Sequence, residues 1–212
     1  EMAIEVSDVT GLKGQYAHGN EPSHHMAYLF SYVGQPWKTQ KYTRELLDEM
    51  YTPTPDGIIG NEDAGQMSAW YVLSALGFYS VCPGSNEFVL TTPLFDEAVI
   101  RLANGKTLTI KANDPAKNFY IESVAINGKP VDVNYLTYDQ IMAGGDLVYT
   151  LAAKPCMDRA VAPETAPYSL TTKQIIPAPY TDAQTYLFEG SIDVTLNVNA
   201  EGAQIRYTLD GS

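Results

Sequence analysis

The sequence predicts an α+β chain, a helical first part followed by an antiparallel sheet. Apolar residues recur at helical spacing through the first part. After Pro83-Gly84 the pattern turns to β-rich runs joined by Asn-Gly pairs. The same reading divides the chain into helices over 1–84, a sheet over 85–153, a linker over 154–187 and the start of a small β module over 188–212.

Taken in order, Pro22 with Asn20 or Glu21 before it predicts a helix start. Met26, Ala27, Leu29, Phe30 and Val33 form its expected buried stripe, and Gly34 ends it. Pro36 opens a second helix, PWKTQKYTRELLDEMY, amphipathic through Trp37, Tyr42, Leu46, Leu47 and Met50. TPTPDGIIG breaks it into a loop. A third helix follows in GNEDAGQMSAWYVLSALGFY, with Asp63 expected as N-cap, Gly77 as the residue past its end, and burial on nearly all sides.

Beyond Pro83-Gly84, FVLTTPLF, AVIRLANGKTLTIKA, IESVAINGKPVDV and DLVYTLAAK read as strands, with hairpins at Asn104-Gly105 and Asn127-Gly128. Residues 154–187 are rich in Pro, Ala, Thr and Tyr without periodicity, hence a linker. The tail predicts two alternating strands around Glu201-Gly202, too few to be stable alone. The lack of an initial Met and the ending at a turn suggest a piece of a longer polypeptide.

A net charge of −12 argues against nucleic acid or an anionic membrane surface as partner. No apolar run reaches membrane-spanning length. Fifteen tyrosines against six phenylalanines favour surfaces where a ring meets both water and packing, as in sugar clefts or on edge strands. Cys82 and Cys156 could form one disulfide or none.

Two acidic triplets stand at helix mouths, Gly19-Asn20-Glu21 and Gly60-Asn61-Glu62, the second followed directly by Asp63. Carboxylates there stay ionised beside the helix dipole and can ligate a hard cation or take a proton from water. The plainer reading makes Asp63 a cap and Glu62 a solvated acid. All three histidines, His18, His24 and His25, fall close together, but His24 and His25 diverge on a helix and no zinc motif accompanies them. They read as core or sugar-contacting residues.

GNEPSHHMAYLFSY followed by DGIIGNEDAGQMSAWYVLSALGFYSVCPG resembles the C-terminal part of the catalytic region of glycoside hydrolase family 92. The likeness continues to about residue 153. It implies part of an (α/α)6 barrel and an exo-acting, inverting, calcium-dependent α-mannosidase, many members acting on α-1,2 linkages of N-glycans or mannan. By that resemblance Asp63 matches the general base, with Glu62 supporting it. Asn20 and Glu21 match the calcium region, and His18, Asn20, His24 and Gln66 are expected around the terminal mannose. The general acid of the family lies upstream and has no counterpart here, so this piece alone is expected to be inactive. The expected partner is a mannose-containing oligosaccharide, the expected location secreted, periplasmic or at the surface of a bacterium. QIRYTLDGS is similar to the start of the module that follows chitobiase and hexosaminidase domains. The competing functions are a non-catalytic carbohydrate-binding module and an interaction domain whose acidic loops are only caps.

Overall fold

The computed structural model of the chain describes residues 10–170, 177–183, 185 and 187–211. Expectations that fall on residues 1–9 and 171–176 lie outside the described residues. The chain divides into two units, Glu1–Tyr168 and Ser169–Ser212.

The first unit begins with a two-stranded ribbon, β1 (Leu12–Lys13) and β2 (Tyr16–Ala17). The chain then turns through two 3₁₀ segments, Glu21–Ser23 and Met26–Val33, where one α-helix was expected. The tighter winding brings residues three apart onto one side. The buried residues are therefore Ala27, Tyr28 and Ser31, while Met26, Leu29 and Val33 from the expected stripe face outward. Polar bonds select that face: Tyr28 Oη meets Ser74 Oγ at 2.7 Å, and Ser31 Oγ donates to Thr39 Oγ1 at 3.0 Å. Gly34, at φ +70°, closes the segment as expected.

Helix α1 (Pro36–Met50) buries Leu46, Leu47 and Met50, and with them Thr39, Gln40 and Thr43. These polar residues are paired: Gln40 Oε1 accepts the amide of Ile121 at 3.0 Å, and Thr43 Oγ1 meets Thr91 Oγ1. Helix α2 (Gln66–Ala75) starts later than expected and is buried on one side only. Met67, Trp70, Ser74 and Ala75 are enclosed, whereas Ala69 and Val72 are exposed.

Past α2, β3 (Phe78–Tyr79) pairs with β4 (Glu87–Leu90). Strands β5 (Glu97–Arg101), β6 (Thr107–Ala112), β7 (Tyr120–Ile126) and β8 (Lys129–Pro130) follow. Next come β9 (Tyr135–Thr137), helix α3 (Tyr138–Ala143) and β10 (Gly145–Ala152). Both Asn-Gly hairpins form, joining β5 to β6 and β7 to β8. Asn127 and Gly128 both take positive φ, as a tight two-residue hairpin turn requires. The expected single antiparallel sheet is instead two sheets, one of order β5-β6-β10-β7-β8 and one of order β3-β4-β9. The larger is mixed, because β10 enters between β6 and β7 and runs parallel to β6. Its apolar face, with Leu108, Ile110, Ile121, Leu147 and Leu151, packs with Leu136 and Phe78 into one core cluster. Tyr28, Leu46, Leu47, Trp70 and Val89 build the second, between the helices.

Residues 154–168 belong with this unit rather than with a linker. Arg159 donates to Val131 O at 2.8 Å, Asn134 to Ala160 O at 2.7 Å, and the Tyr168 amide to Glu87 Oε2 at 2.6 Å. Cys82 and Cys156 are both free thiols. In the second unit β11 (Tyr180–Thr181) pairs with β12 (Leu196–Asn197). Glu201 and Gly202 form the expected turn, but the described residues after it are not strand. A short pair with few apolar contacts registers upstream instead. Among the described residues no helix is long and apolar enough to cross a membrane.

Candidate active site

The two acidic triplets begin at a contact between glycines. A Cβ on Gly60 would stand 3.4 Å from Gly19 Cα and 2.9 Å from Thr10 Oγ1, and one on Gly19 would fall 2.1 Å from that same hydroxyl. The Gly at the head of each triplet is thus what lets the two backbones approach. Asn20, extended and without a capping bond, leads into the 3₁₀ turn that carries Glu21.

The second triplet folds differently from expectation. Asp63, Ala64 and Gly65 take φ of +50°, +56° and +94° in succession. Left-handed backbone at two residues with a Cβ is strained, and such strain gathers at functional sites. This turn moves the helix start to Gln66 and takes Asp63 out of the capping position. Glu62 caps instead: its Oε1 accepts the Ser68 amide at 2.9 Å. Bonds from the Ser68 side chain, then the Ser68 and Gly65 amides, hold the Glu62 carboxyl below its ordinary value. The expected roles of the neighbours are therefore exchanged, Glu62 capping α2 and Asp63 free of the helix.

Freed in this way, Asp63 meets Glu21. The Glu21 side chain beside it raises the Asp63 carboxyl above its ordinary value, with desolvation and the charges of Glu21 and Glu62 adding to the shift. Among the described residues Glu21 Oε1 is buried and meets no hydrogen-bond donor. A buried carboxylate oxygen without a donor is costly, and a cation would satisfy it. The groups present, Glu21, Asp63 and the Asn20 amide, offer oxygen only, which suits calcium and not zinc. Among the described residues no three His, Cys, Asp or Glu side chains gather into a metal-binding cluster. A cleft of about 560 Å³ opens beside α2, lined by Tyr51, Thr52, Thr54, Ser68 and Tyr71 among others, and neither acid forms its wall.

The histidines lie behind the acids. His18 and His24 are 0% and 2% exposed, so neither presents a surface to a sugar, in contrast to the contact role expected for them. His25 is exposed. His24 Nε2–H donates to His18 O at 2.9 Å, which leaves Nδ1 to accept from Gln66 Nε2 at 3.0 Å. Gln66 Nε2 also donates to Tyr79 Oη at 3.0 Å. Tyr51 donates to Met67 O at 3.2 Å and so accepts from His18 Nε2–H at 2.7 Å, leaving His18 Nδ1 to accept from Tyr16 at 2.8 Å. Burial, and then the nearby His24, push the His18 imidazole down to about 3, while burial lowers His24. Both rings are neutral at physiological pH. Trp70 Nε1 donates to His24 O at 3.1 Å. Sequence reasoning missed Tyr16, Tyr51, Trp70 and Tyr79 as members of this group, although the aromatic excess pointed toward such a cluster.

A family 92 α-mannosidase of Bacteroides thetaiotaomicron (BT3965), solved with mannoimidazole, is 44% identical, with a TM-score of 0.74 over 77% of this chain and 22% of that one. An inverting family 92 mannosidase of the same organism (BT2199) is also 44% identical, with a TM-score of 0.68 over 74% of this chain and 21% of that one. An uncharacterized secreted glycosidase of Arthroderma benhamiae is 31% identical over 137 residues, 63% of this chain and 18% of the relative. The chain thus spans about a fifth of the length of these relatives. The model of the glycosyl hydrolase family 92 catalytic domain matches residues 2–153, and with both acidic triplets inside that span the chain belongs to this family.

Proposed function

We propose that this chain is the C-terminal part of the catalytic region of an exo-acting, inverting α-mannosidase that removes terminal mannose, α-1,2-linked, from N-glycans or mannan. The reading rests on one observation above the others: the loops of Glu21 and Asp63 come together, a Cβ on Gly60 standing only 3.4 Å from Gly19 Cα, so that the Glu21 side chain acts on the Asp63 carboxyl. The mannosidase names of the Bacteroides relatives support the substrate class.

In this reading Asp63 is the general base. An inverting glycosidase needs a carboxylate that draws a proton from water on the face opposite the leaving group. The exposed position of Asp63 leaves it open to water, and its displacement from the helix cap leaves its oxygens unspent. Its raised proton affinity makes it a better base than an ordinary carboxylate. Asn20 and Glu21 would hold calcium, which would supply a positive charge to bind hydroxyls of the terminal mannose. Glu62 fixes the turn that presents Asp63. The general acid comes from an upstream segment of the same polypeptide, and the helices described here are part of an (α/α)6 barrel. The location in this reading is secreted, periplasmic or at the surface of a bacterium; the name of the Arthroderma relative supports secretion.

The test uses the full-length glycosidase on α-1,2-mannobiose, with proton NMR following the first product. Release of β-mannose, lost in Asp63→Asn, is the expected result. First-formed α-mannose, or an active Asp63→Asn enzyme, would sink the reading.

A further inference from the structure

We infer that His24, Gln66 and His18 are positioning residues, a buried bracket that holds the loop of Glu21 in register with the loop of Asp63. The inference rests on the reading of Asp63 as base and gives a purpose to groups that this reading leaves unused.

The bracket acts at both ends of the Glu21 loop and at the helix end of the Asp63 loop. His24 Nε2–H to His18 O, at 2.9 Å, closes the segment that carries Asn20 and Glu21 upon itself. Gln66 is the first residue of α2 and directly follows the left-handed turn that presents Asp63. Its Nε2 bonds His24 Nδ1 at 3.0 Å, so the closed segment is tied to the base of that turn. The tie is repeated one turn along, where Trp70 Nε1 donates to His24 O at 3.1 Å. It is repeated again through His18, whose Nε2–H meets Tyr51 Oη while Tyr51 donates to Met67 O. Ring contacts stiffen the group, with His18 and Trp70 centroids 4.6 Å apart and His18 and His24 centroids 4.9 Å apart.

Such a group is not needed for packing. Two imidazoles at 0% and 2% exposure carry a desolvation cost that leucine or phenylalanine would not. What imidazole adds is direction, since each ring nitrogen has a defined partner and the network fixes distances that apolar packing leaves free. Water-activating chemistry is sensitive to such distances, and a displacement of about 1 Å costs on the order of 100-fold in rate.

The experiment measures kcat, KM and thermal unfolding of the full-length glycosidase on an α-mannobioside, comparing Gln66→Leu, His24→Leu and His24→Gln with wild type and Asp63→Asn. Gln66 is half-buried, and its loss leaves the apolar core in place. Gln66→Leu is expected to lower kcat about 10- to 100-fold with KM little changed and the unfolding temperature close to wild type. His24→Gln, whose amide can still donate to His18 O, is expected to recover part of the loss seen in His24→Leu. If His24→Leu does not fold, Gln66→Leu alone decides. An unchanged kcat in Gln66→Leu beside an inactive Asp63→Asn overturns the bracket and spares the base. A raised KM with kcat kept also overturns it, making Gln66 a sugar contact. An active Asp63→Asn removes the reading beneath it.

Discussion

Asp63 and Glu21, from different loops, stand close enough that the Glu21 side chain raises the proton affinity of the Asp63 carboxyl. The contact depends on the left-handed run at Asp63, Ala64 and Gly65, which turns Asp63 away from the helix it precedes. Two neighbouring carboxylates repel when both are ionised, and the fold retains that repulsion at the place where chemistry is proposed.

Replacing Asp63 by Asn is therefore expected to abolish hydrolysis without unfolding the protein. Asn tolerates left-handed backbone well, and Asp63 caps no helix. Loss of a general base costs about 10²- to 10⁴-fold in kcat. The sign of the pH effect follows from the raised proton affinity. Stability contributed by Asp63 is complete below its unfolded value of 3.8 and is lost as pH rises through the higher folded value. At neutral pH the variant should thus melt at or above the wild-type temperature, and the two should converge near pH 3.8. A melt well below wild type at pH 7 would refute the repulsion.

Glu62 should behave in the opposite way to its neighbour. Its carboxylate accepts the Ser68 amide at the first turn of α2, so Glu62→Ala removes the cap and should lower the melting temperature by a few degrees. Glu62→Gln keeps an accepting oxygen and should recover most of that loss. Activity should follow stability in both, since Glu62 faces the helix. A large kcat defect in a normally stable Glu62→Gln enzyme would instead assign Glu62 a charge-dependent part in the chemistry.

Acid should weaken the protein through its buried histidines. The folded state holds His18 neutral down to about pH 3, whereas the unfolded chain protonates near 6.5. A depressed folded value gives stability that is full above the unfolded value and is lost as pH falls toward the folded one. Each such histidine contributes a slope of about 1.4 kcal/mol per pH unit in that window. His24 is shifted the same way, which steepens the loss below pH 6.5. Unfolding free energies measured between pH 7 and 4 should show this slope, and a flat profile would mean that the two rings are accessible to protons in the native state.

The sequence shows some of these elements and hides others, for physical reasons. The hairpin at Asn127-Gly128 is legible because few residue pairs accept positive φ twice in succession. The cap exchange is not, because adjacent acids are equally able to cap and only the conformation of the turn decides between them. The parallel pairing of β10 with β6 is hidden because it joins strands distant in sequence, with β7, β8, β9 and α3 between them. Helix α3 went unread although it carries a signal, the Thr137–Gln140 capping box in which each side chain bonds the other's backbone. Polar Thr39, Gln40 and Thr43 spoil the apolar stripe of α1 because their partners, among them Ile121 and Thr91, come from distant segments. Both acidic triplets could be picked out as site residues, but their meeting could not, since it rests on the close approach of Gly19 and Gly60.

Calcium should act on both stability and turnover if Glu21 is among its ligands. Among the described residues Glu21 Oε1 is buried without a donor, and a bound cation would supply that partner. Chelation of the full-length glycosidase should lower its melting temperature and stop hydrolysis, and calcium should restore both. A ligand present at a hundred times its dissociation constant stabilises by about 2.7 kcal/mol, enough to read in a melt. Glu21→Gln keeps the shape of the site but not its charge, so calcium should bind at least about tenfold more weakly by calorimetry. The same variant removes the charge facing Asp63, so its calcium-free form should melt no lower than calcium-free wild type. Unchanged melting and turnover under chelation would exclude the ion from the site.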